Sequence, residues 1–142
     1  MSVAHIRAEN LSGESLGARI EELTARYPYL AEDPALADLI LEDIAKAIRT
    51  DFAAGNEQAG EGRLVDVRRT LARFEHSPQR RLWVLEVFSA ASYYYYLQGE
   101  LGRARALLRE GLRYAPEEVY LTHRLEMIGG CLFKMNYGIK TI

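Results

Sequence analysis

Apolar residues recur along most of this chain at alternating steps of three and four, the spacing that collects side chains on one face of a helix. Leu16, Ile20 and Leu23 form the first such stripe, with Tyr27 extending it, and predict a helix near residues 13–27 with Ser12 as its cap and Pro28 as its stop. Asp33-Pro34 pairs a cap with a first helical residue and opens a second helix to about Ala54. Its apolar set of Leu36, Leu39, Ile40, Ile44, Ala47, Ile48 and Phe52 is wide enough to face two neighbours. Leu64, Val67, Leu71 and Phe74 mark a third helix near 63–76, and Ser77-Pro78 starts a fourth that runs to Gln98. A fifth spans about Arg103 to Tyr114, and Pro116 opens a sixth through about Met135. Gly129-Gly130 interrupts the sixth, either for close helix contact or as its end. No segment alternates with a period of two, so the expected class is all-α.

Between these helices the pattern lapses in two places. Residues 1–11 keep no period and read as a loose lead-in. Residues 54–62, AGNEQAGEG, carry three glycines and no large apolar residue, and read as the one clear loop and the best candidate for mobility.

Residues 85–116 hold the most specific pattern. Phe88, the small pair Ala91 and Ser92, and Tyr95 are followed by the turn Gln98-Gly99-Glu100-Leu101, then by Ala104, Leu108, Gly111 and Leu112, and Pro116 closes the unit. Small residues let two antiparallel helices approach, large ones fill the space between them, and Gly99 can take the positive φ that ends a helix. In order and spacing this stretch resembles one tetratricopeptide repeat, a helix-turn-helix unit of about 34 residues. Ala91 stands where leucine is more usual and Gly111 where alanine is. The resemblance implies an antiparallel stack of about six helices, a right-handed α-solenoid in a single domain over 1–142. Diverged helices occupy 12–77, the repeat and a capping helix 78–137, and a tail 138–142.

Four consecutive tyrosines, Tyr93 to Tyr96, cover most of a helix circumference at 100° per residue, so at least one must face outward. By the resemblance Tyr95 packs between the paired helices, while Tyr93 and Tyr96 lie on the concave face with Glu86, Ser89 and Leu97, where relatives hold peptide segments. Tyrosine suits that role, offering a rigid apolar body and one hydroxyl. The competing expectation is that Tyr93 and Tyr96 pack against the third helix or the sixth and bind nothing external.

Charge adds a second theme. The net charge is −2, yet residues 1–61 carry 12 acidic and 5 basic side chains (−7) and residues 62–142 carry 8 acidic and 13 basic (+5). Arginine supplies 15 of the 18 basic residues, with Arg63, Arg68, Arg69, Arg73, Arg80 and Arg81 in one cluster and Arg103, Arg105, Arg109 and Arg113 along the fifth helix. Planar guanidinium groups fit carboxylates and phosphates alike, which puts Arg109 among the partner-binding candidates. Nucleic acid is the weakest partner class, since the total charge is negative and no reading motif accompanies the arginines. The default expectation is a solvated face, with Arg109 and Arg113 bridging to Glu110 and the acids beyond Pro116.

Catalytic chemistry finds little support. His5, His76 and His123 have no ligand-type spacing to one another or to Cys131, so no metal site or cofactor is expected. His76 suits a helix end, His123 beside Tyr120 reads as ordinary packing, and Cys131 as a small buried hydrophobe without a base to activate it. The glycine segment lacks the lysine of a phosphate-binding loop, and the chain reads as no enzyme. One cysteine and no leader before residue 20 suggest a cytoplasmic setting, and no apolar run reaches the roughly 18 residues of a membrane span. The expected function is a protein-interaction module: a small adaptor, scaffold subunit or chaperone that holds a peptide or protein. Two alternatives stand beside it. One is an inhibitor or immunity-type protein whose acidic first half, with Glu42, Asp43 and Asp51, masks a basic catalytic cleft. The other is a self-assembling subunit that uses its outer helix faces and the tail Gly138 to Ile142.

Overall fold

Two of the helices end in the same way, and the device shows how local sequence sets this architecture. Helix α3 (Pro34–Ala53) runs into Gly55, whose φ is +76°, and α5 (Arg80–Leu97) runs into Gly99, whose φ is +78°. In each case the glycine N–H and the next N–H reach back to the last turn. Gly55 N donates to the Phe52 carbonyl at 3.0 Å and Asn56 N to Asp51 at 2.8 Å; Gly99 N donates to Tyr96 at 3.1 Å and Glu100 N to Tyr95 at 2.9 Å. These are Schellman turns, in which the left-handed residue satisfies carbonyls that the helix leaves unpaired. A new helix begins within two residues of each: α4 (Glu57–Arg73) and α6 (Leu101–Tyr114).

The computed structural model describes residues 1–74 and 78–136, the last seven of these in backbone only. Among the described residues there are seven α-helices, one short 3-10 turn and no strand. Besides those named, they are α1 (Val3–Ala8), α2 (Gly13–Arg26), the 3-10 turn Pro28–Glu32 and α7 (Val119–Asn136). None is long and apolar enough to cross a membrane. The chain divides into two compact units, Met1–Trp83 and Val84–Ile142, with the boundary inside α5.

In the first unit, Val3 and Ile6 of α1 are buried with Leu16, Leu23, Leu30, Leu36 and Leu39, and Leu11, Ile20 and Tyr27 pack around them. Residues 1–11 are therefore not a loose lead-in; Val3 and Ile6 lie three apart, enough to anchor one and a half helical turns but too few to register as a period. Ser12 starts α2 as expected, but its side chain makes no capping bond. The Asp43 carboxylate accepts from Gly13 N instead, at 3.1 and 3.2 Å. Asp33 does cap α3, accepting from Ala35 N at 3.0 Å.

The expected loop at 54–62 shrinks to Ala54–Asn56. Asn56 caps α4 through Ala59 N at 3.4 Å, and the helix starts at Glu57, six residues before the expected position. Gly60 is buried in it, since the Phe52 ring lies where a larger side chain would stand. At the other end of α4, Arg80 donates to the carbonyls of Leu71 (2.9 Å) and Phe74 (2.8 Å), and the buried Asp38 accepts from Gln79 N at 3.2 Å. The expected roles of His76 and Ser77 fall outside the described residues.

In the second unit α5 and α6 form an antiparallel hairpin. Phe88 stacks on Tyr114 with centroids 5.9 Å apart, and the Arg103 guanidinium sits 4.2 Å from the Tyr95 ring centre, so early positions meet late ones. Phe88, Ala91, Ser92, Tyr95, Ala104, Leu108 and Gly111 are buried; Leu112 is half-buried. A β-carbon on Gly111 would lie 2.9 Å from Leu121 Cδ1 and 3.0 Å from Phe88 Cβ, so this glycine lets α6 approach α5 and α7 together. Pro116 sits exposed in the link before α7, not in its first turn. The nearly buried Glu118 caps that helix, its Oε1 accepting from Tyr120 N at 3.2 Å. The backbone of α7 is helical through Gly129-Gly130 to Asn136, which removes the reading of that pair as a helix end. The tail from 138 and the Cys131 side chain fall outside the described residues.

Candidate functional site

Position along α5 decides what each tyrosine does. Phe88, Ala91, Ser92 and Tyr95 form the inward stripe at steps of three and four. Tyr94 flanks it, its ring edge-on to Tyr95 at 5.0 Å and 82°. One hundred degrees per residue then turns Tyr93 and Tyr96, three apart, onto a common outer face. They are 49% and 38% exposed.

Across from them α7 presents Tyr120, His123, Arg124, Met127 and Ile128, again at steps of three and four. These seven residues line a groove of about 320 Å³, near the lower end of the range for small-ligand sites, roughly 300 Å³. Its walls are mostly aromatic and aliphatic. Arg124 is the one permanent charge in the lining, and no carboxylate lines it. The guanidinium of Arg124 lies 5.4 Å from the Tyr93 ring centre and 5.5 Å from that of Tyr120, and donates to the Tyr120 hydroxyl at 2.9 Å. Cation–π attraction and that hydrogen bond hold it at the groove while leaving other N–H groups to donate.

Of the residues singled out from sequence, Tyr93 and Tyr96 line this groove. Leu97 is exposed at the end of the same helix. Glu86 and Ser89 are half-buried farther up α5, and the Ser89 hydroxyl donates to the Glu86 carbonyl at 3.3 Å, so it is engaged locally. Arg109 belongs to the outward side of α6 and does not line the groove. The α7 contribution was missed in the sequence, although its spacing was a signal. His123, read there as ordinary packing, is exposed at the groove wall.

A second cleft of about 350 Å³ lies in the first unit between α1, the start of α2 and α3. Its acids are occupied from within. Glu42 is paired with Arg7 and with Lys46 at 3.5 Å, and Asp43 caps α2. Arg7, hydrogen-bonded to Glu42, holds that carboxyl below the usual glutamate range against the opposing effect of burial. Asp51 meets Arg63 at 3.5 Å. Among the described residues no three His, Cys, Asp or Glu side chains come together as a metal site.

Comparison with protein-family models, with curated proteins and with solved structures finds no match to this chain.

Proposed function

We propose that the second unit is a peptide-binding module, in which the groove between α5 and α7 receives an apolar segment of a partner protein that also carries a carboxylate. The observation that carries this reading is the exposure of Tyr93, Tyr96, Tyr120 and Met127 around one groove. Large apolar side chains gathered in one concave place mark binding sites more often than chance exposure does. Arg124, held between two tyrosine rings with no carboxylate beside it, gives an incoming acid its partner.

The α5–α6 hairpin supports reading this unit as tetratricopeptide-like: the small residues lie at the helix contact, Gly99 makes the turn, and Tyr93 and Tyr96 face a third helix. In that arrangement the groove corresponds to the concave face, and an adaptor or chaperone role follows. The inhibitor reading has less support, because Glu42, Asp43 and Asp51 are each engaged by groups of the first unit.

Selection of a random peptide library displayed on phage tests the proposal. The wild-type chain should enrich peptides that combine large apolar residues with Asp, Glu or a free C-terminus. Met127→Lys, a change at an exposed position, should lose about tenfold or more in recovery of those peptides, the size of an interface hot spot. Equal recovery by the two proteins, or enrichment of basic peptides, contradicts it.

A further inference from the structure

Helix α6 has a second surface that the groove does not use. Its buried residues Ala104, Leu107, Leu108 and Gly111 define one side. At 100° per residue the opposite side carries Arg105, Arg109 and Arg113 at successive steps of four, with Gly102 before them and Ala106 beside Arg105. Gly102, Ala106, Arg109 and Arg113 are exposed, and Arg105 is half-buried.

Nearby glutamates are the expected partners of such arginines, yet among the described residues none of these three guanidinium groups forms an ion pair or hydrogen bond. Arg105 shows this most sharply, because its Nε is shut off from solvent and has no acceptor. A desolvated donor without an acceptor is a cost to the free protein.

We infer that this stripe is a docking surface for an acidic α-helix of a partner protein, one whose carboxylates repeat every fourth residue. Steps of four on a helix advance about 6 Å, so a facing helix with the same repeat brings three carboxylates into register with the three guanidinium groups. Gly102 and Ala106 keep the surface beside the arginines low, and no atom stands within 4 Å of a β-carbon placed on Gly102, so a second helix has room to approach. The partial burial of Arg105 restricts its side chain before binding and reduces the entropy lost on docking. Nucleic acid also offers phosphates, but no nucleic-acid-reading motif accompanies these arginines.

Fluorescence anisotropy with a synthetic alanine-based helix carrying Glu at every fourth position tests the inference, using the whole chain. Wild type should bind it, with affinity falling as salt rises. Arg105→Gln/Arg109→Gln/Arg113→Gln should bind about tenfold or more weakly, as expected for the loss of three modest ion pairs. Arg109→Gln/Arg113→Gln, altered only at exposed positions, should lie between them. Binding that is unchanged in both arginine variants overturns the inference. So does a labelled single-stranded oligonucleotide binding more tightly than the acidic helix.

Discussion

The ring of Phe52 fills the space that a side chain on Gly60 would need: a β-carbon there would stand 2.5 Å from Cζ and 2.6 Å from Cε1. Phe52 lies in the last turn of α3 and Gly60 near the start of α4, so this contact sets how closely the two helices cross. Alanine favours a helix over glycine by about 1 kcal/mol. Overpacking a buried ring costs about 1–3 kcal/mol. Since Phe52 is almost wholly buried, the clash should prevail, and Gly60→Ala should lose about 1 kcal/mol in urea unfolding at unchanged slope. Measured in a Phe52→Leu background, the same substitution should cost less or become favourable, a coupling that a double-mutant cycle reads directly. A Gly60→Ala protein as stable as wild type contradicts the packing described.

Gly99 makes a different demand, on backbone alone. No atom stands near its missing β-carbon, but its φ of +78° is one that L-residues seldom adopt. Gly99→Ala should therefore destabilise by about 1–2 kcal/mol, and Gly99→Asn by less, because asparagine tolerates the left-handed region. Thermal unfolding of the two variants checks the order; equal stability of all three proteins contradicts it.

Glu42 links pH to the first unit. Its folded pKa is lowered, chiefly by the hydrogen bond from Arg7, so the stability it adds is fully present above the ordinary glutamate value of about 4.3. That contribution is lost as pH falls through the lower folded value. Arg7 is about half exposed, which keeps the pair within about 1 kcal/mol. Wild type should exceed Glu42→Gln in stability at pH 7, and the difference should shrink as pH falls below the ordinary glutamate value. A difference that stays constant across that range contradicts the role of the pair.

Much of the helical layout was legible because apolar spacing and cap pairs such as Asp33-Pro34 act locally. The burial of Phe88, Tyr95 and Leu108 is what the resemblance to a tetratricopeptide repeat implied. Two readings failed where a local signal met a distant partner. Gly60 looks like loop composition until Phe52 is placed against it, and Val3 and Ile6 look patternless until the cluster around Leu23 and Leu30 gives them a surface to join. Helical geometry required at least one of Tyr93 to Tyr96 to face outward, and the resemblance singled out Tyr93 and Tyr96, which are exposed. The opposite wall of their groove, Tyr120, Arg124 and Met127, depended on how α7 returns along α5, which spacing within one helix does not encode.

Peptide binding by the second unit is most directly tested by NMR of the isotope-labelled chain titrated with one peptide from the display selection. Backbone amide shifts should move at Tyr93, Tyr96, Tyr120, His123, Arg124 and Met127, saturating together with a single affinity. Shifts confined to α1, α3 and α4, or to the outward side of α6, with the groove residues unmoved, would contradict the account.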